Sequence, residues 1–143
     1  APDSSVNGVE TCVLVHGFTQ TGHSWEPLIH GPGGLRESGY RCVCVDLRGH
    51  GQSSWAPDGD YSREAMVGDI LFVVDALGLG RFSLFVLSLG GALATRFAAD
   101  HPSRVRSLVL VDWAPWPDGK PTAGIGRIAA VFQLRWDTFD DAV

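Results

Sequence analysis

Apolar residues gather in short continuous runs, separated by longer stretches of mixed pattern. Thr11–Val15 (TCVLV), Arg41–Val45 (RCVCV), Phe82–Val86 (FSLFV) and Val105–Val111 (VRSLVLV) are such runs. Their length and apolar continuity predict strands covered on both faces. The intervening patterns predict helices over about 24–38, 62–77 and 88–99. Pro32, Gly33 and Gly34 should break or kink the first. Ser62 stands where an N-cap belongs, Glu64 suits the positive end of the second helix, and Gly78 and Gly80 close it. After Val111 the pattern changes. Trp113, Pro115, Trp116, Pro117 and Gly119 predict a stiff loop, and a further helix is expected from about Gly124 to Leu134. Alternating strands and helices predict right-handed crossovers and a mostly parallel sheet, an α/β fold.

Composition narrows the class. The chain has 143 residues, 45% hydrophobic and 19% charged, enough for one domain with a true core. A net charge of -5 with no basic cluster argues against nucleic acid and against an anionic membrane surface. No apolar stretch approaches the roughly 20 residues of a membrane helix. Ala1–Glu10 is polar, without a secretory apolar region or an initiator Met, and is read as a processed or cut end. Cys12, Cys42 and Cys44 all fall in strand-like runs and are expected to be buried thiols. Their C-x-C spacing is not the redox motif, and too few His or Cys lie nearby for a metal site. Reduced thiols suggest a cytoplasmic protein.

The most informative segment is Val86-Leu87-Ser88-Leu89-Gly90-Gly91, where a strand meets a helix. A serine on a sharp strand-to-helix turn lifts its hydroxyl above the sheet, and the helix N-terminus beneath favours developing negative charge. Gly90 and Gly91 let the helix pack close behind. The usual G-x-S-x-G elbow has Val86 in place of its first glycine, and Ser88 as a simple helix cap is the competing reading. His16-Gly17-Phe18 follows the first strand directly. There, the Phe18 N–H would join the Leu89 N–H as an oxyanion donor, a contribution often worth about 3 kcal/mol per donor.

With VLVHGFTQTGHSW at 13–25, VDLRGHGQS at 45–53, LSLGG at 87–91 and LVLVDWAP at 108–115, the chain resembles the α/β-hydrolase superfamily, serine-nucleophile branch, over nearly all its length. The resemblance implies that strand 41–45 lies outside 11–15, followed by 82–86 and 105–111. A ligand crevice is expected where the order reverses. It implies Ser88 as nucleophile, Asp112 as one of two places from which the family takes its acid, and a catalytic His later in the chain. Asp112 as a plain strand-end turn residue stays open. After Ser88 the only His is His101, expected at the surface. His16 belongs to the oxyanion loop and His50 to a structural role, while nothing in the spacing requires His23 to reach the crevice. The chain is therefore read as the N-terminal piece of such an enzyme, with a partial core over 1–121 and the start of a cap or lid over 122–143.

Ester hydrolysis is the default reaction implied, although the same machinery serves thioesters, amides, lactones and some C–C bonds. Haloalkane dehalogenases and epoxide hydrolases of this fold use an Asp nucleophile, and Ser88 argues against both. No metal or organic cofactor is implied, and the partner is a small-molecule substrate. Trp25 and Trp113, with Phe18 and Trp116, are candidates for an apolar substrate pocket, or equally for packing. The strand at 105–111 would be an open sheet edge that permits self-association. Two alternatives stand beside the hydrolase: a non-catalytic small-molecule-binding or interaction protein that retains the fold, and a protein whose missing half comes from a partner chain.

Overall fold

The computed structural model describes residues 8–113. The helix expected near 124–134, the cap segment 122–143 and Trp116 lie outside the described residues. The elements in chain order are β1 (Thr11–Val15), a 3-10 turn (Gly22–Trp25), α1 (Glu26–His30), β2 (Arg41–Val45), α2 (Arg63–Ala76), β3 (Phe82–Leu87), α3 (Leu89–Asp100), a second 3-10 turn (Pro102–Arg104) and β4 (Val105–Val111). All pairings are parallel, in the order β2-β1-β3-β4. The α/β class and the strand order match the expectations from sequence. The order reverses between β1 and β3, the kind of switch point at which ligands bind in α/β sheets.

The two faces of the sheet are covered unequally. Val13 and Val15 of β1 with Leu84 and Val86 of β3 pack against Ile70 and Val74 of α2 and against Leu93, Ala94 and Phe97 of α3. The Phe82 and Phe97 rings meet with centroids 5.9 Å apart. On the opposite face Cys12 and Leu14 pack with Trp25, Ile29 and Leu35. Every residue of β1 is buried. At about 1.5–3 kcal/mol for each fully buried large apolar side chain, this central strand anchors the core. Among the described residues β2 pairs only with β1 and β4 only with β3, so both are edges. No helix among them is long and apolar enough to cross a membrane.

Local signals explain α2. The Ser62 hydroxyl accepts a bond from the Ala65 N–H at 3.2 Å, which caps the first turn. At the other end Gly78 takes φ +63, and the Leu79 N–H reaches back to the Val74 carbonyl at 2.8 Å.

Two expectations need correction. The helix predicted over 24–38 is a 3-10 turn followed by five residues of α1, ending at His30. Beyond it the chain folds back, with Leu35 N–H on the Leu28 carbonyl at 3.0 Å and Arg36 N–H on the Ile29 carbonyl at 3.2 Å. Gly34 permits this reversal, since a Cβ there would lie within 2.8 Å of the carbonyls of Leu28, Ile29 and Gly31. The reversal brings Leu35 into the core. The three cysteines are also not alike: Cys12 is buried, Cys42 half-buried and Cys44 exposed. Cys44 faces a surface groove that it lines with Gly22, His23, Glu26 and His30. Burial pushes the Cys12 thiol up to about 12, so it stays protonated and inert.

Candidate active site

Ser88 links β3 to α3. Its backbone stands at φ 47, ψ -107, a region populated almost only by glycine. The Ser88 hydroxyl makes no capping bond to the helix it precedes. The helix-cap reading of this serine is thereby removed. Neighbouring strands and the first turn of α3 hold the strained turn: Ser88 N–H donates to the Val111 carbonyl at 3.1 Å, and the Ser88 carbonyl accepts from Gly91 N–H at 2.8 Å. Val86, in the place of the usual glycine, is fully buried in β3 opposite Val15 and Leu110. The positive φ is carried by Ser88, so a β-branched residue fits two positions earlier.

Among the described residues three non-glycine residues have positive φ: Thr19, Ser88 and Asp112. All three follow the carboxyl ends of β1, β3 and β4, lining one end of the sheet. Backbone strain of this kind clusters at functional sites, where the surrounding packing over-determines it.

The loop after β1 closes against Ser88. A Cβ built on Gly17 would lie 3.3 Å from the Ser88 Cβ and 3.4 Å from the Leu87 carbonyl oxygen. A Cβ on Gly90 would lie 2.5 Å from the Val15 carbonyl oxygen and 2.9 Å from that of His16. Glycine at position 90 is thus a condition of α3 meeting β1 this closely, and at Gly17 the loop approaches the elbow with little room to spare. Within the loop Gly17 N–H donates to Gln20 Oε1 at 2.9 Å, Gln20 N–H to the Gly17 carbonyl at 3.3 Å, and Thr19 Oγ1 to the Phe18 carbonyl at 2.6 Å. Leu89 is the first residue of α3, so its N–H has no carbonyl partner inside the helix.

His16 is fully buried and both ring nitrogens are engaged. Nε2 accepts from the Leu47 N–H at 3.1 Å, so Nδ1 carries the proton and donates to the Gly17 carbonyl at 2.7 Å. Burial holds its pKa below the ordinary histidine value, although the Gly17 bond acts the other way. This histidine is a neutral tie between the loops after β1 and β2, and neither nitrogen is left for proton transfer.

Asp46 organises the loop after β2. Its Oδ1 accepts from Gly22 N–H at 2.6 Å and its Oδ2 from Gln52 N–H at 2.9 Å, while Ser53 Oγ donates to the Asp46 carbonyl at 2.7 Å. Burial alone would raise its pKa; the Gln52 and Gly22 N–H bonds, with His16 and His23 nearby, outweigh it and hold the carboxyl below its usual value. The carboxylate occupies the space that a Cβ on Gly51 would need, and Gly51 itself has φ +53. Arg48 then fixes the loop to α2, with Nε and Nη2 on Asp69 at 2.5 and 2.6 Å.

The remaining expected site residues fall at different places. Phe18 is 44% exposed, next to Gly17 in the loop that meets Ser88. The Trp113 ring packs on Gly91, where it would collide with any added Cβ. Trp25 is buried in the core among Cys12, Leu14, Ile29 and Leu35. Asp112 follows Val111, which is paired with Leu87, and so stands beside Ser88 in register, exposed. His101 ends α3, twelve residues of helix from Ser88, about 18 Å at the helical rise. His23 is exposed and bonded through Nδ1 to Glu26 at 2.6 Å. His16 was placed in the oxyanion loop from sequence, but its tie to Leu47 and the anchoring bonds of Asp46 were signalled only by their motif loops. Among the described residues no group of three or more His, Cys, Asp or Glu is placed to hold a metal ion.

A strained serine elbow, an adjacent glycine loop and a parallel sheet define a hydrolase-type α/β fold. Residues 11–143 match the family model for the alpha/beta hydrolase fold, and the chain belongs to that family. It is 38% identical over 103 residues to an esterase of Mycobacterium tuberculosis, covering 72% of this chain and 33% of that protein. It is 40% identical over 107 residues to a fluoroacetate dehalogenase of Burkholderia, covering 72% of this chain and 34% of the other. A solved hydrolase structure from Pseudomonas aeruginosa superposes with a TM-score of 0.71 at 32% identity, covering 93% of this chain and 48% of that one. The chain thus spans about a third of the length of those curated relatives.

Proposed function

We propose that this chain carries the nucleophile and oxyanion elements of a serine hydrolase that acts on an ester or related carbonyl substrate. Ser88 attacks the carbonyl carbon, and the Phe18 and Leu89 N–H groups hold the oxyanion. Asp112 is the acid of the triad, and the base is a histidine outside this chain. The carrying observation is the Ser88 backbone at φ 47, ψ -107 with its hydroxyl making no capping bond. A strained, uncapped serine at a helix N-terminus, next to a glycine loop, has the form of a nucleophile turn. His16 is committed as a structural tie and His101 is a helix length away, so neither serves as base. Phe18 and Trp113 are assigned to the substrate side. Trp25 supports the loop from within the core.

One relative with a dehalogenase name raises the alternative of an Asp nucleophile, but the elbow residue here is Ser88. A non-catalytic reading rests on Val86 in the elbow and on the lack of a histidine after His101 in this sequence; the burial of Val86 within β3 without positive φ weakens the first of these grounds. Among the described residues β4 pairs only with β3, which supports a separate proposal, self-association by strand pairing along β4, which sedimentation across a concentration series tests.

The test is a fluorophosphonate probe with peptide mass spectrometry to locate the adduct, and Ser88→Ala as control. An adduct at Ser88 that the control lacks supports an activated hydroxyl. A folded chain that is modified only elsewhere, or not at all, refutes activation of Ser88 in this chain.

A further inference from the structure

His50 lies in the loop after β2, outside the groups assigned above. Its ring meets two residues of the oxyanion loop. It is tilted at 49° to His16 with centroids 5.1 Å apart, and edge-on to Phe18 at 64° and 6.1 Å. The other side of the ring is fixed by Nδ1, which donates to the Arg48 carbonyl at 3.1 Å. Arg48 is itself clamped. Its guanidinium forks onto Asp69 of α2, and Nη1 donates to the Asp60 carbonyl at 2.7 Å. Contacts therefore run from α2 through Asp69, Arg48 and His50 to Phe18. Phe18 is 44% exposed and stands at the outer end of these contacts.

We propose that His50 is a positioning residue for the oxyanion loop: anchored through Arg48 to α2, it holds Phe18, and with it the Phe18 N–H, at the mouth of the Ser88 turn. This rests on the reading of Ser88 and Phe18 given above. Its logic is mechanical. His16 ties the start of the loop to Leu47, and the bonds of Gly17, Thr19 and Gln20 named above lie within the loop, whereas α2 is part of the core, so rigidity passes outward along these contacts.

Three variants of the full chain test it. His50→Ala removes both ring and anchor, His50→Phe keeps the ring edge, and Asp69→Asn loosens Arg48 at a distance. The first readout is amide hydrogen exchange at Gly17 and Gln20, the bonded N–H groups of the loop. His50→Ala should accelerate these by roughly 2- to 12-fold, the factor corresponding to one aromatic contact, while amides of β1 and α3 stay unchanged. His50→Phe should restore most of the protection, and Asp69→Asn should give a smaller acceleration at the same two amides. The second readout is Ser88 phosphonylation over a probe concentration series. The limiting rate should fall by up to about 10²-fold, as for a misplacement near 1 Å, with the half-saturating concentration unchanged.

Unchanged exchange at Gly17 and Gln20 in His50→Ala overturns the proposal. So does acceleration spread evenly over β1 and α3, or a His50→Phe variant as labile as His50→Ala. If the parent chain is not labelled at Ser88, activation of Ser88 in this chain is refuted, whereas the exchange measurement still decides the clamp.

Discussion

Replacing Ser88 by glycine should make the chain more stable, although it deletes a side chain. At φ 47, ψ -107 the serine occupies backbone space that costs a non-glycine residue about 1–3 kcal/mol. Glycine enters this region freely, but it also gains freedom in the unfolded chain, which returns about 0.4–1 kcal/mol. Relative to Ser88→Ala, which keeps the strain, Ser88→Gly should gain about 1–2 kcal/mol. For a chain of this size that is a Tm difference of roughly 2–6 °C. Ser88→Ala itself should lie within about 0.5 kcal/mol of the parent, because the hydroxyl makes no capping bond. Urea titration followed by circular dichroism at one pH, with all three proteins, gives the comparison. If Ser88 were an ordinary helix cap, the order would differ: Ser88→Ala would lose about 0.5–2 kcal/mol and Ser88→Gly only a few tenths. A glycine variant no more stable than the alanine variant would refute the strain argument.

Gly90→Ala tests the closeness of α3 to β1. Alanine raises helix propensity by about 1 kcal/mol, yet its Cβ would meet the Val15 carbonyl oxygen at 2.5 Å, so a net loss of about 1–3 kcal/mol is expected by chemical denaturation. Arg48→Lys keeps the charge and loses the fork on Asp69, and should cost about 1–2 kcal/mol; a loss below a few tenths would mean that this partly exposed pair is solvent-screened. His16 predicts a pH dependence. Its folded pKa is below the ordinary 6.5, so the folded state takes up its proton less readily than the unfolded state. Its stabilising contribution is complete above pH 6.5 and is lost as pH falls from there through the lower folded value. His16→Asn should flatten that limb of the stability profile, and an unchanged slope would count against the buried neutral tie. Gly51→Ala should destabilise the loop after β2, because its Cβ would displace the Asp46 carboxylate; lost exchange protection at the Gln52 amide is the check.

Much of this protein was legible in its residue order because the relevant forces are local or periodic. Continuous apolar runs mark strands buried on both faces, and Ser62 and Gly78 mark the ends of α2 through bonds made within a few residues. The elbow at Ser88 and the glycine loop at Gly17 could be placed because strand, turn and helix follow each other directly. Other features exist only through contacts between distant segments. The chain reversal that ends α1 at His30 depends on Leu35 finding the core. Cys44 is exposed because the 3-10 turn and α1 leave a groove over it, a property of how they pack and not of the RCVCV pattern. Val86 is acceptable because the neighbouring strands leave it room while Ser88 takes the strain. His16 and Asp46 are fixed by partners at Leu47, Gly22 and Gln52. Whether such a group is a catalyst or a tie depends on which atoms the fold brings to it. Composition and periodicity thus determine the layers and the place of the serine turn. Burial and long-range hydrogen bonding, which arise only when the sheet assembles, decide the backbone strain at that turn and the roles of the polar residues around it.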